Sequence, residues 1–149
     1  MVRLKHRYVV AQLLLDPSLG EPEELSGRDV ISAVREQLQL LYGDMGAGEF
    51  GGNTLLKFYD ANTQMFVVRT AREAEHQVRL ALSTVTQIKQ NSLVVRSLGV
   101  AGSSRTCLDK LRALLGRALE AEVLARALDD GTRERRQAQY QAMLQTLEL

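Results

Sequence analysis

Two β-type runs placed back to back between helical stripes constrain this chain more than any other feature. Thr54 to Asp60 and Gln64 to Thr70 are separated by Ala61, Asn62 and Thr63 alone, which predicts a β-hairpin. Before it, Val30, Val34, Leu38 and Leu41 recur at helical spacing behind Ser26, a residue able to cap the helix, and Gly43 is expected to end it. A glycine-rich loop through Gly52 then leads into the hairpin. After it, Thr70 and Glu73 have the spacing of a capping box for a helix with the stripe Ala74, Val78, Leu82 and Val85.

Leu4 to Leu15 and Leu93 to Leu98 read as strands outside this block, and Leu108, Leu111, Leu115 and Leu119 mark a long helix. The order is strand, helix, strand, strand, helix, strand, helix. That predicts an α+β fold: a split βαβ, ferredoxin-like or RRM-like, antiparallel four-stranded sheet with two helices on one face. The other face is left for a ligand, a partner or additional C-terminal helices. Alternation would give that face Arg3, Lys5 and Arg7 on the first strand, Lys57 and Tyr59 on the second, Arg69 on the third and Arg96 on the fourth. Met65 and Val67 alternate with Arg69 and predict that part of the face is packed. The third strand, QMFVVRT, has no RNP1-type string of stacking aromatics, so Phe66 and Tyr8 are read as core. Residues 1–119 are expected to form this domain and 120–149 a helical extension. In the extension Val123, Leu124 and Leu128 continue one apolar side, Asp130 and Gly131 break the helix, and Thr132 caps a last one bearing Tyr140, Met143, Leu144 and Leu147.

Charge is divided along the chain although the formal net is only +1. Arg3, Lys5 and Arg7 make the first ten residues purely basic, whereas Pro17 to Asp60 carries eight Asp and Glu against three Lys and Arg. From Ala61 to Lys110 the cations Arg69, Arg72, Arg79, Lys89, Arg96, Arg105 and Lys110 outnumber Glu73, Glu75 and Asp109. A fold joining the two basic segments would make one positive surface suited to nucleic acid; scattered solvated charges are the plainer alternative. The opening MVRLKHRY has charges where an export signal needs an apolar run, and no window is apolar enough to span a membrane. The single Cys107 forms no internal disulfide, and with His6 and His76 it matches no zinc spacing, so a reducing intracellular setting is expected.

The stretch from Ser92 to Lys110, SLVVRSLGVAGSSRTCLDK, passes from strand through small residues into a helix. Ser103 or Ser104 can cap it, and Arg105 and Lys110 add charge where the first helical N–H groups lack partners. The junction suits an anion or is an ordinary serine-capped turn; GxxGSS is neither a Walker loop nor GxGxxG.

Several of these strings together resemble one family. V-R-x-K-H-R-Y at Val2 to Tyr8, Y-D-x-x-T at Tyr59 to Thr63, V-R at Val68 and Arg69, and L-G-V-x-G-x-x-R-T-C at Leu98 to Cys107 are similar to the Pop-five-type protein subunit of ribonuclease P and ribonuclease MRP. The start looks like the eukaryotic members, and the likeness runs from Val2 to about Leu119. Family members often have Gly-Thr-Ile where this chain has Gly102, Ser103 and Ser104, which keeps the cap and loses the larger side chain. The resemblance implies a noncatalytic subunit of an RNA-based endonuclease that removes 5′ leaders from precursor tRNA and, in the MRP form, matures rRNA. It implies a nuclear and nucleolar location. The implied partners are the ribonuclease P/MRP RNA, a TIM-barrel-like protein subunit of the same particle and, through the holoenzyme, precursor tRNA, with no membrane. No cofactor or metal would be bound by the protein, and magnesium would sit on the RNA. Arg3, Lys5, Arg7, Arg69, Arg96 and Arg105 are the residues then expected to neutralise RNA phosphates.

Two other readings use the same residues. Asp44, Glu49 and Asp60 near the glycine-rich loop, with His76 as a base, would suit a hydrolase, but no spacing joins them. A small-molecule-sensing ferredoxin-like regulatory domain is the alternative the fold allows, although a sensor has no need of a cation on every strand.

Overall fold

β1 (His6–Leu15) lies at the centre of the sheet in the computed structural model, which describes residues 3–126, 129–147 and 149. Antiparallel β3 (Met65–Ala71) flanks it on one side and antiparallel β5 (Asn91–Ala101) on the other. β2 (Leu55–Asp60) pairs with β3, and the short β4 (Gln87–Ile88) with the start of β5, giving the order β2-β3-β1-β5-β4. The sheet thus has five strands rather than the four expected, because Val85 and Ile88 bury after α2 and draw the intervening chain along β5.

Tyr8 to Ala11 and Leu13 are all buried, so the middle of β1 is apolar on both faces. Such a strand must be covered twice. Val9, Ala11 and Leu13 pack beneath α1 (Gly27–Gly51) and α2 (Glu75–Thr84) with Val30, Val34, Leu38, Val78 and Leu82. Tyr8 and Val10 pack on the opposite side with Phe58, Met65 and Val67 beneath α3 (Ser104–Arg126) and α4 (Asp130–Thr146). The second face is therefore covered, over β2, β3 and the first half of β1, by Cys107, Leu111, Leu115 and Leu119 of α3 and by Tyr140 and Leu144 of α4, while Leu14 (44% exposed), Val94 (60%) and Arg96 stay open towards the far end. Each large side chain withdrawn this way contributes roughly 1.5–3 kcal/mol, which favours the covered sheet over an open one.

Several boundaries differ from expectation. α1 continues past Gly43, where φ 71° and ψ −174° kink the helix, so most of the expected glycine loop is helical and Leu41 is left 41% exposed. Its start is as expected: Asp29 accepts from the Ser26 N–H and the Ser26 hydroxyl, both at 2.7 Å. Thr70 does not cap α2. It is buried in β3, 3.1 Å from the Thr54 hydroxyl, and a 3-10 turn at Arg72–Ala74 leads into the helix. Gly131 lies inside α4, whose cap is Asp129, accepting from the Thr132 N–H at 3.3 Å. Val2 and Leu128 lie outside the described residues. No helix among those described is long and apolar enough to cross a membrane.

Candidate nucleic-acid interface

Five of the six expected cations share an end of the sheet rather than a face. β1 begins where β3 and β5 finish: His6 lies across from Ala71, and Tyr8 lies across from Arg69 on one side and Ala101 on the other. Exposed Arg3 and Lys5 precede β1 at this end, and the Lys5 carbonyl accepts from the Arg72 N–H at 2.9 Å. The register puts Arg7 on the side of α1 and α2 and Arg69 on the side of α3 and α4. The expectation that both occupy one face is therefore incorrect; they meet at the rim between the faces. Arg96 lies across from Gln12, nearer the far end and roughly 15 Å along the strands from Arg7. It is exposed and separate from the group. Lys57 falls at the β2 irregularity between Leu56 and Phe58 and joins neither face pattern, while Tyr59 packs towards α1.

The β5–α3 junction completes the rim. Ser103 caps α3, its hydroxyl accepting from the Thr106 N–H at 3.2 Å, and Arg105 is exposed on the first turn. A β-carbon at Gly102 would come within 3.5 Å of Arg7 Nη1, so the missing side chain lets that guanidinium lie against the turn. Arg7 Nη1 also donates to the His6 carbonyl at 3.0 Å, which fixes its direction. Lys110 Nζ donates to the Val100 carbonyl at 2.7 Å and brings its charge back to the same turn. Lys110 and exposed Arg72 are additional cations here that the expected set omitted. Their signals were Arg72 three residues after Arg69 and the helical spacing of Lys110 from the junction.

Among the described residues, none of Arg3, Lys5, Arg7, Arg69, Arg96 or Arg105 is in an ion pair; the carboxylates engage Arg79, Lys89, Arg112, Arg126 and Arg136 instead. Three acids lie at the opposite end, while Glu73 and Glu75 follow β3 beside the rim. Asp16 follows β1, Asp60 ends β2, and Glu23 is tied to Asn91 at the start of β5 through its N–H (2.9 Å) and carbonyl (2.7 Å).

The hydrolase cluster is not assembled. Asp60 accepts from the N–H groups of Asn62 (3.3 Å) and Thr63 (3.2 Å) and from the Thr63 hydroxyl, so it organises the hairpin turn. His76 is exposed beside Glu75, and no group of three possible metal ligands occurs among the described residues. Cys107 is buried among leucines, and desolvation pushes its thiol up to about 11, the reverse of an activated nucleophile.

The structure defines an α+β class of protein in which one antiparallel sheet is covered by helices on one face and in part on the other, and cations gather at one rim. Within that class the chain belongs to the Rpp14/Pop5 family, whose model matches residues 7–112. The probable ribonuclease P/MRP protein subunit POP5 of Arabidopsis thaliana is 31% identical over 114 residues, spanning 73% of this chain and 76% of that protein. Ribonuclease P/MRP protein subunit POP5 of Homo sapiens is 28% identical over 141 residues, 90% of this chain and 83% of its own. Ribonuclease P protein component 2 of Thermococcus gammatolerans is 28% identical over 115 residues, 77% of this chain and 89% of that one. A chain in the cryo-EM structure of yeast ribonuclease MRP has the same fold, with a TM-score of 0.54 at 14% identity, covering 86% of this chain and 99% of that chain.

Proposed function

We propose that this chain is a noncatalytic protein subunit of the ribonuclease P/MRP ribonucleoprotein, supporting the RNA in 5′-leader removal from precursor tRNA and in rRNA processing. The observation that carries the reading is the rim of cations, in no ion pair among the described residues, on a chain whose family includes subunits of that particle. Phosphates crowded in a folded RNA repel one another, and guanidinium groups held on a rigid sheet offset that repulsion through bidentate hydrogen bonds. Arg3, Lys5, Arg7, Arg69 and Arg105 do this at the rim, and Arg96 makes a separate contact. Magnesium and bond breaking belong to the RNA. The four long strands represent the split βαβ arrangement, with β4 added at its edge. Within the particle the chain contacts the RNA and a TIM-barrel-like protein subunit, meets precursor tRNA through the holoenzyme, and works in the nucleus and nucleolus.

The test is purification of the tagged chain from its source, with sequencing of the bound RNA and a precursor tRNA cleavage assay. A stable RNA and leader removal that disappears on complete RNA digestion are expected. Cleavage that survives digestion would overturn the reading.

A further inference from the structure

A groove of about 510 Å³ runs between α3 and α4, away from the basic rim. Its two walls are rows at one-turn spacing: Arg112, Gly116 and Glu120 on α3, and Arg133, Gln137, Gln141 and Gln145 on α4. The ion pair of Glu122 with Arg136 joins the helices near the end of α3 and the start of α4, and Leu115 and Leu119 pack with Tyr140 and Leu144, so the helices run antiparallel with Arg112 and Arg133 towards opposite ends and the glutamines between them. At Gly116 an added β-carbon would meet nothing within 4 Å, so the middle of the α3 wall is open. We propose that this groove binds an unpaired stretch of RNA, its phosphates on Arg133 and on Arg112, which exchanges its exposed 3.7 Å pair with Asp109 for the phosphate, and a base lying over Gly116 against the glutamine amides.

The volume falls within the roughly 300–1,000 Å³ of small-ligand sites, and its polar groups are of the kinds that recognise a nucleotide. Guanidinium groups take phosphate oxygens, and a glutamine amide offers a donor and an acceptor side by side to a base edge. A docked protein helix is disfavoured because the groove floor has little apolar surface left to bury: Leu115 is 1% exposed, Leu119 6%, Tyr140 6% and Leu144 5%. Among the described residues Gln137, Gln141 and Gln145 make no side-chain hydrogen bonds within the chain, so their amides are available. The inference rests on the proposed function, which supplies the RNA, and it adds base contact to phosphate neutralisation.

Short homopolymeric oligoribonucleotides of each base, titrated against the full chain and against Gly116→Leu and Gln141→Leu, test it. Gly116→Leu fills the groove and replaces glycine in a helix, so it keeps or raises stability. The wild type should prefer one base, and both variants should lose about fivefold or more for that base while the salt slope is unchanged, because every cation remains. Equal binding by wild type and both variants overturns the groove and leaves the subunit reading standing. So does normal oligonucleotide binding with loss of a protein from the purified particle, which would assign the groove to a protein partner. A wild-type chain that neither binds RNA nor copurifies with it overturns both.

Discussion

Arg69 lies directly across from Tyr8 on the β1–β3 ladder, and its Nε is buried without a hydrogen-bond partner, while Tyr8 is 7% exposed. An unsatisfied buried N–H costs about 1–3 kcal/mol, so this arginine is held against the interest of stability. Arg69→Met keeps the length and removes the orphaned donor. It should raise stability by about 1 kcal/mol in urea unfolding and weaken RNA binding severalfold. A variant that is less stable would show that the guanidinium makes contacts the fold needs.

The shared end of the sheet gives an ordering of salt effects. Replacing Arg3, Lys5 and Arg7 together by alanine should reduce the slope of log affinity against log salt by about 2–3, at roughly 0.7–0.9 per phosphate contact. Arg96→Ala should reduce it by less than about one, additively, because Arg96 sits opposite Gln12 and outside the group. An Arg96 effect as large as that of the triple variant would relocate the surface from the rim to the strand.

The kink in α1 offers a backbone test free of packing. Gly43 has φ 71° and ψ −174°, a region open essentially to glycine, and an added β-carbon would touch nothing. Gly43→Ala should cost about 1–3 kcal/mol from backbone strain alone. Gly48→Ala, equally unobstructed and in ordinary helix, should instead stabilise by up to about 1 kcal/mol. Thermal unfolding of the pair decides; equal effects would mean the kink is absent in solution.

Burial holds the Cys107 thiol at about 11 against an ordinary 9.0, so the folded chain keeps a proton that the unfolded chain releases. The stability from this difference is whole below pH about 9 and is lost as pH rises through about 11, on the order of 2 kcal/mol in all. Tyr140, raised to about 12 by burial and then by Asp60, adds to the loss above pH 10. Cys107→Ala should flatten the decline in urea-unfolding stability between pH 9 and 11. An unchanged slope would place the alkaline transition elsewhere.

Legibility in the sequence followed local chemistry. The hairpin could be read because Asn62 and Thr63 supply the turn that Asp60 organises, and the α3 side because Leu111, Leu115 and Leu119 keep one phase. The α1 extension was hidden because Gly43, Gly46, Gly48, Gly51 and Gly52 carry weak helix propensity; the Tyr42–Phe50 edge-to-face contact, with ring centroids 5.2 Å apart, spans the kinked segment. The side chosen for Arg7 failed for a different reason. From Tyr8 to Leu13 only Gln12 escapes burial, so alternation has almost no polar row to mark a solvent face, and the β5 register shift opposite Val10 and Ala11 removes the remaining cue. Convergence of cations at the rim follows from strand order, which no local pattern carries.

The C-terminal helix closes the sheet, so its loss should act on the fold before it acts on assembly. Tyr140 and Leu144 are 6% and 5% exposed and belong to the core containing Tyr8, Val10, Phe58 and Met65. Leu144→Ala leaves a cavity under α4 and should cost about 2–5 kcal/mol. Deleting Gly131 to Leu149 uncovers part of an apolar sheet face and should produce a chain that binds a hydrophobic dye and melts without a sharp transition. RNA affinity should then fall together with folding, because Arg69 lies on the same ladder as the uncovered Met65 and Val67. A truncated chain with a sharp transition, full RNA affinity and impaired particle assembly would mean that α4 serves a partner and that the sheet face is stable without it.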